Sequence, residues 1–313
     1  MIVYTGEALI DFIPVTDTDG QVAYRPSPGG SPYNSAIAAA RLGAPVSFLA
    51  RIATDFFGDQ LVDRLDDNRV DTGRIVRSDL PTTLAFVKKN ERGEARYAFY
   101  ASGSADRALS HADLSALPTE AEVIAFGSIS LIADPVSASI LDLVEREQTR
   151  RVISFDPNVR PVLVADASDY RARLDRGISA ATILKVSDED LSWITGHANL
   201  ERGARELRSR GPELVVVTAG DAGAFALTSE GIARTEALPT SVVDTIGAGD
   251  SFHAGMLVWL RHHGLLSRTG IASLNQERAT EMLRFAAAVA SIACSRPGAD
   301  PPRMDELGEL ALR

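Results

Sequence analysis

The residues best placed for chemistry in this chain are Asp244-Thr245-Ile246-Gly247-Ala248-Gly249-Asp250. The β-branched pair Val242-Val243 predicts a strand leading into them. Phe252, Met256, Trp259 and Leu260 behind them are spaced for one face of a helix over 251–263. The glycines then sit where a strand turns into a helix, and the free N–H groups and dipole of a helix start attract an anion. Gly247 and Gly249 lack a Cβ, so an anion can approach the backbone amides closely. A carboxylate there repels a phosphate unless it has a task. Asp250, in the first turn, is favoured as the charged form, and beside a phosphoryl group it could accept the proton of an attacking hydroxyl. Asp250 also reads as a helix cap beside a glycine turn, and the residues by themselves leave both readings open.

The elements that must position this run can be read from the N-terminus. Residues 2–4 predict a strand, and 8–10 a second that ends at Asp11, an acid at a strand end. Residues 22–24 predict a short strand before Pro26, Pro28 and Gly29-Gly30. Ser31-Pro32 is a cap followed by a first-position proline, opening a helix that stops at Gly43 and carries Asn34 in its first turn. Residues 46–52 predict a strand, followed by a helix with Leu61, Val62 and Leu65 on one face. Residues 83–87 and 95–100 predict a hairpin about Asn90-Glu91-Arg92-Gly93. From 123 to 227 strands and helices alternate, a rhythm that predicts a doubly wound, mainly parallel sheet.

Composition bounds the rest. The chain has 313 residues, 45% hydrophobic and 24% charged, enough for a sizeable core. A net charge of −10, with Lys88, Lys89 and Lys185 the only lysines, argues against nucleic acid and anionic membrane as partners. Cys294, the single cysteine, lies in an apolar helical run and reads as core. With no basic leader and no run of about 18 apolar residues, the protein reads as cytoplasmic. The five histidines (His111, His197, His253, His262, His263) show no zinc spacing, and His262-His263 reads as a pair meeting the carbonyls of a helix end. There is no P-loop motif and no dinucleotide fingerprint after the first strand, and Asp55-Phe56-Phe57-Gly58 stands without the remaining protein-kinase motifs.

The run 244–250 closely resembles the second signature of the PfkB (ribokinase-like) carbohydrate kinases, D-T-x-G-A-G-D, and Gly29-Gly30-Ser31-Pro32-Tyr33-Asn34 resembles the first, G-G-x-x-x-N. The resemblance implies an ATP-dependent sugar kinase with one domain over 1–313: a mainly parallel sheet flanked by helices, and a small β-sheet lid from about 12–30 and 82–104. It implies Gly247, Ala248 and Gly249 as an anion hole and Asp250 as general base, with Asp11, Gly29, Gly30 and Asn34 on the sugar. Ser154-Phe155-Asp156-Pro157-Asn158-Val159-Arg160 looks like the fructokinase "S-x-D-P-N-x-R", which adds Arg160 to the sugar side. The block from Lys185 and Ser187 to Asp190 resembles "K-V-S-x-x-E-L", tied to the Mg–phosphate environment, with Asp190 one methylene shorter than the usual Glu; locally it reads equally as an acidic capped turn. Thr218, Gly220 and Gly223 match the "T-x-G-x-x-G" nucleotide loop. Asp244 and the residues near 291–299 match a region that holds potassium in several relatives.

Ala101 follows Phe99-Tyr100 where many relatives have Arg, and lysine is scarce, which together point to a neutral sugar. Arg160 leaves an acid substrate open. The best match is to fructokinases, with ribokinase or 2-keto-3-deoxygluconate kinase as the alternative. A catalytically silent sugar or nucleotide sensor is the reading from another class, and the presence of Asp250 argues against it. The resemblance also implies a homodimer joined through the lid.

Overall fold

The computed structural model describes residues 1–89, 95–114 and 116–312; the hairpin tip at 90–93 and the side chains of 88, 89 and 95–97 lie outside the description. The chain runs β1 (Ile2–Thr5), β2 (Leu9–Thr16), β3 (Val22–Gly29), α1 (Ser31–Arg41), β4 (Val46–Ala53), α2 (Phe56–Asp67), β5 (Ile75–Ser78), β6 (Thr83–Lys89) and β7 (Ala95–Tyr100). The alternating half follows: β8 (Val123–Gly127), α3 (Val136–Glu147), β9 (Val152–Asp156), α4 (Ala167–Ala180), β10 (Ile183–Ser187), α5 (Asp188–Thr195), α6 (Leu200–Ser209) and β11 (Leu214–Thr218). It closes with β12 (Ala224–Leu227), β13 (Ile232–Thr235), α7 (Ala248–His262), α8 (Arg268–Ala272) and α9 (Gln276–Cys294).

Among the described residues, nine strands form one sheet in the order β13-β12-β11-β10-β9-β8-β1-β4-β5. Its pairs are parallel except at β11–β12 and β12–β13. Period-two alternation sorts the strand side chains between two cores. Ile2, Tyr4, Val123, Ala125 and Val216 pack with α1, α2, α7 and α9 on one face. Val3, Ile124, Phe155, Val215 and Val217 pack with α3, α4, α5 and α6 on the other. The sheet is therefore doubly wound, as the alternating pattern predicts. The chain leaves β1 toward β4 and later returns to β8 on the opposite side of β1. Strand order thus reverses between β1 and β8, and the crevice beyond their carboxyl ends is where open α/β sheets bind ligands.

A second, four-stranded sheet has the order β3-β2-β6-β7. Here the structure corrects two expectations. Asp11 does not end its strand, because β2 runs on to Thr16 once β3 and β6 pair with it. Likewise β3 continues through Pro26 and Pro28 to Gly29. Two prolines two residues apart put both missing N–H groups on one side of the strand, and β3 is an edge strand with a free side.

Three further expectations fail. Val242 and Val243 form no strand; they are 60% exposed in a loop with no ladder partner, and Val243 N–H donates instead to the Cys294 carbonyl. β-branching favours a strand only where a neighbouring strand exists to receive it. Cys294 is the half-buried last residue of α9 rather than core. Ser31 is not the cap of α1, for Gly30 holds that position and the Ser31 hydroxyl turns into the site. At the end of α7, His263 Nδ1 does meet the Trp259 carbonyl, at 2.9 Å.

Candidate active site

The loop 236–247 delivers Gly247 in a left-handed conformation (φ 76°), and Gly247 caps α7. A Cβ there would lie 2.9 Å from the Ala299 Cβ, so both the backbone angle and the contact with the 297–300 loop call for glycine. Asp244 ties the two loops together: its Oδ1 accepts from Ile246 N–H at 3.2 Å and its Oδ2 from Gly298 N–H at 3.0 Å. Ala248 and Gly249 then begin the helix, with Asp250 at its third position. The residues from Asp250 to Leu260 are all buried, so α7 is an interior helix rather than an amphipathic one.

Asp250 does not cap its own helix. Its Oδ1 accepts from Ser31 Oγ at 2.6 Å and its Oδ2 from Asn34 Nδ2 at 2.9 Å, so both oxygens are held by the first turn of α1. Ser35 Oγ adds a bond to the Asp250 carbonyl at 3.1 Å. Burial raises the Asp250 pKa, the two side-chain hydrogen bonds oppose this, and Asp156 adds a further push upward. A carboxylate so placed accepts a proton more readily than an exposed one.

Lys185 supplies the positive charge. Its Nζ is buried, pairs with Asp156 Oδ2 at 2.7 Å, and lies 3.1 Å from where a Gly249 Cβ would sit. Burial acts to lower its pKa, but the carboxylates of Asp156, Asp190 and Asp250 together outweigh this and the net direction is up. Lys185 therefore stays an ammonium against the N-terminus of α7. Behind it, Ser154 Oγ meets His253 Nε2 at 2.7 Å; burial and the Lys185 charge push His253 down to about 3, so that imidazole is neutral.

A cleft of about 350 Å³ opens above these groups. It is lined by Asp11, Gly30, Asn34, Arg160, Lys185, Gly247, Gly249 and Asp250, together with Glu7 and Phe99. Asp11, on β2, is pushed up to about 7 by burial and then by the Asp250 carboxylate, with Arg160 pulling the other way. Gly29 leaves room for it, since a Cβ there would lie 2.3 Å from Asp11 Oδ2 and the carboxylate would have to swing aside. Arg160 Nη1 is folded onto its own loop, donating to Asn158 Oδ1 at 2.6 Å.

The remaining sequence-predicted residues lie along the same sheet edge and do not line this cleft. Ser187 ends β10 and Thr218 ends β11, paired in register. Gly220 and Gly223 form the turn after β11, and Gly223 packs against the Thr235 carbonyl. Ser187 and Asp190 make the capping box of α5. Asp190 Oδ1 also accepts Val159 N–H at 2.9 Å, and burial raises its pKa. Among the described residues no group of three or more His, Cys, Asp or Glu is arranged to hold a metal, and no helix is long and apolar enough to cross a membrane. Asp55, in the Asp-Phe-Phe-Gly run, caps α2 and binds Thr82.

The model of the pfkB family carbohydrate kinases matches residues 1–306. The chain belongs to this family. A fructokinase from Rhizobium leguminosarum bv. trifolii is 40% identical over 277 residues, 88% of this chain and 85% of that protein. The crystal structure of a fructokinase with bound ATP from Xylella fastidiosa superposes with a TM-score of 0.89 at 28% identity, covering 99% of this chain and 97% of that one. A fructokinase variant from Vibrio cholerae O395, in fructose, ADP and potassium ion bound form, gives 0.85 at 27% identity, covering 99% and 98%. The chain is thus a carbohydrate kinase of the PfkB type.

Sequence reasoning missed three residues of this site. They are Glu7, the Ser31 hydroxyl and Asp156, the last lying inside the Ser154–Arg160 block without a role of its own read from it. Their contacts carry no local mark, because the partners lie 24, 219 and 29 residues away.

Proposed function

We propose that this PfkB kinase is a fructokinase in which Asp250 is the general base. The observation that carries the reading is a buried carboxylate at the start of α7, held through both oxygens by α1 and facing a polar cleft. The sugar hydroxyl loses its proton to Asp250 as its oxygen bonds to the γ-phosphorus of ATP; the bond to the bridging oxygen breaks and ADP leaves. The amides of Gly247, Ala248 and Gly249 and the Lys185 ammonium meet the charge on the transferring group. Asp11, Gly29, Gly30 and Asn34 hold the sugar. Arg160 sits beside Asp11 and is bound to Asn158, so its charge is partly answered, which favours a neutral polyol over a sugar acid. Fructose is the sugar named for the relatives above.

ATP runs from the anion hole along the sheet edge to Ser187, Thr218, Gly220 and Gly223. Mg²⁺ would supply charge neutralisation to the transferring phosphates, with Asp190 the carboxylate of this region that would help hold it. Asp190 fits only through a water, since Val159 and Ser187 N–H groups face its oxygens. Asp244 has lone pairs left after its two backbone bonds and suits a potassium site that stiffens the anion-hole loop.

The small sheet acts as a lid: Asp11 and Phe99 line the cleft, and the neighbouring row turns aromatic side chains away from it. Phe12 stacks on Phe86 at 4.5 Å, with Tyr24 and Tyr100 against Phe86. Tyr100 is 66% exposed and Val22 72%, and this apolar outer face supports a homodimer through the lid. The experiment that tests the function is ADP release with fructose, ribose and 2-keto-3-deoxygluconate. Fructose should give the highest kcat/KM, and a higher value for either other sugar overturns the fructose assignment.

A further inference from the structure

The strongest unassigned group beside the site is Glu7. It is 2% exposed, lies in the turn after β1, and lines the cleft, yet its carboxylate is spent on protein. Its Oε1 accepts from Ser31 N–H at 3.1 Å, and its Oε2 accepts from the Ser130 hydroxyl. Glu7 N–H donates to Ser130 Oγ at 2.9 Å, so the turn after β1 and the turn after β8 are joined across the strand-order reversal.

Ser31 is the first helical residue of α1, and its N–H is one of the donors that a helix start leaves unpaired. The cap residue, Gly30, has no side chain to meet those donors, so Glu7 does so from another element. Gly30 is also required by Glu7, since a Cβ there would lie 2.6 Å from the Glu7 carbonyl oxygen. The same turn of α1 carries both groups that hold Asp250, Ser31 Oγ and Asn34 Nδ2.

We infer that Glu7 is a positioning residue for the general base. It fixes the first turn of α1, and through Ser31 and Asn34 that turn fixes both oxygens of Asp250. The inference rests on the assignment of Asp250 as base. Misplacing a catalytic group by about an ångström can cost two orders of magnitude in rate, so loss of the Glu7 anchor should lower kcat by a larger factor than it raises the sugar KM, which moves too because Gly30 and Asn34 of the same turn meet the sugar.

The test is steady-state kinetics on purified full-length variants, with melting curves alongside. Glu7→Ala should lower kcat by about tenfold to a hundredfold with KM for the sugar within about threefold. Glu7→Gln keeps an oxygen for Ser31 N–H and an amide for Ser130 Oγ, and should recover most of kcat. Ser31→Ala should also lower kcat, and Glu7→Ala with Ser31→Ala together should fall no further than the worse single variant. Three results overturn the inference: kcat of Glu7→Ala within twofold of the parent, a rise in sugar KM larger than the fall in kcat, or losses that multiply in the double variant. If Glu7→Ala does not fold, Glu7→Gln and Ser31→Ala decide it, and equal impairment of Glu7→Gln in kcat and KM counts against it. Asp250→Asn measured beside them separates the premises: full activity there removes the base assignment, whereas a dead Asp250→Asn with a normal Glu7→Ala removes only the positioning role.

Discussion

Asp250→Asn isolates proton acceptance from everything else the residue does. In the structure Asp250 is 7% exposed and receives Ser31 Oγ at 2.6 Å and Asn34 Nδ2 at 2.9 Å. An asparagine keeps the volume and one acceptor oxygen, and its amide must then face a neighbour that accepts. Ser31 can rotate its hydroxyl to do so. Asn34 can also turn its amide over, since its Oδ1 has no partner at present. Both contacts are therefore recoverable. The substitution also removes a buried charge whose pKa the fold raises. A group bound more weakly to its charge in the fold than in the unfolded chain subtracts stability at neutral pH, so its removal should not lower the melting temperature.

The chemical loss is much larger. General base catalysis contributes roughly 10²–10⁴-fold, and a hundredfold loss is about 2.7 kcal/mol of barrier. We expect kcat to fall at least about a hundredfold, sugar KM to stay within about threefold, and the melting temperature to stay within about 3 °C of the parent or above it. The assay is coupled ADP release under saturating fructose and ATP, paired with thermal unfolding. A variant that keeps kcat within about threefold excludes proton abstraction by this residue on those magnitudes. A large fall in melting temperature would instead show that the Ser31 and Asn34 contacts cannot be rebuilt.

Four other perturbations follow from the same geometry. Gly30→Val should raise sugar KM and also lower the melting temperature by several degrees, because φ is +112° there and a Cβ meets the Glu7 carbonyl at 2.6 Å; a stable variant with normal KM refutes both roles. Asp11 and Glu7 are held up to about 7, against about 4 in an unfolded chain, so the native state binds more protons between those values and each group's stabilising effect is lost as pH rises through that window. Asp11→Asn should therefore flatten the fall in melting temperature of substrate-free protein between pH 5 and 7.5, and an unchanged slope would refute the assignment. Rates should be higher in potassium than in tetramethylammonium buffer, with the difference reduced in Asp244→Asn; equal rates in the parent remove the cation site. Tyr100→Arg should shift the protein toward monomer on size-exclusion chromatography, and an unchanged elution volume counts against the lid as the dimer face.

The sequence by itself determined the architecture and marked the run on which the proposed site is centred. Alternating apolar strands and helices dictate a doubly wound sheet, because each strand must bury two faces. The run 244–250 and the pair Gly29-Gly30 are local patterns that can be recognised without coordinates. Where a segment's state depends on partners far along the chain, the sequence misled. Val242-Val243 has strand-forming residues and no strand to pair with, whereas β3 tolerates two prolines because it is an edge. Ser31 has the composition of a cap, yet its hydroxyl is claimed by Asp250, 219 residues later. Only the tertiary structure decided that both oxygens of Asp250 are held by α1, that Asp156 holds Lys185 against the start of α7, and that Glu7 bonds the first turn of α1. Those bonds form between elements from separate βαβ units brought to one sheet edge, so no spacing within a segment could announce them.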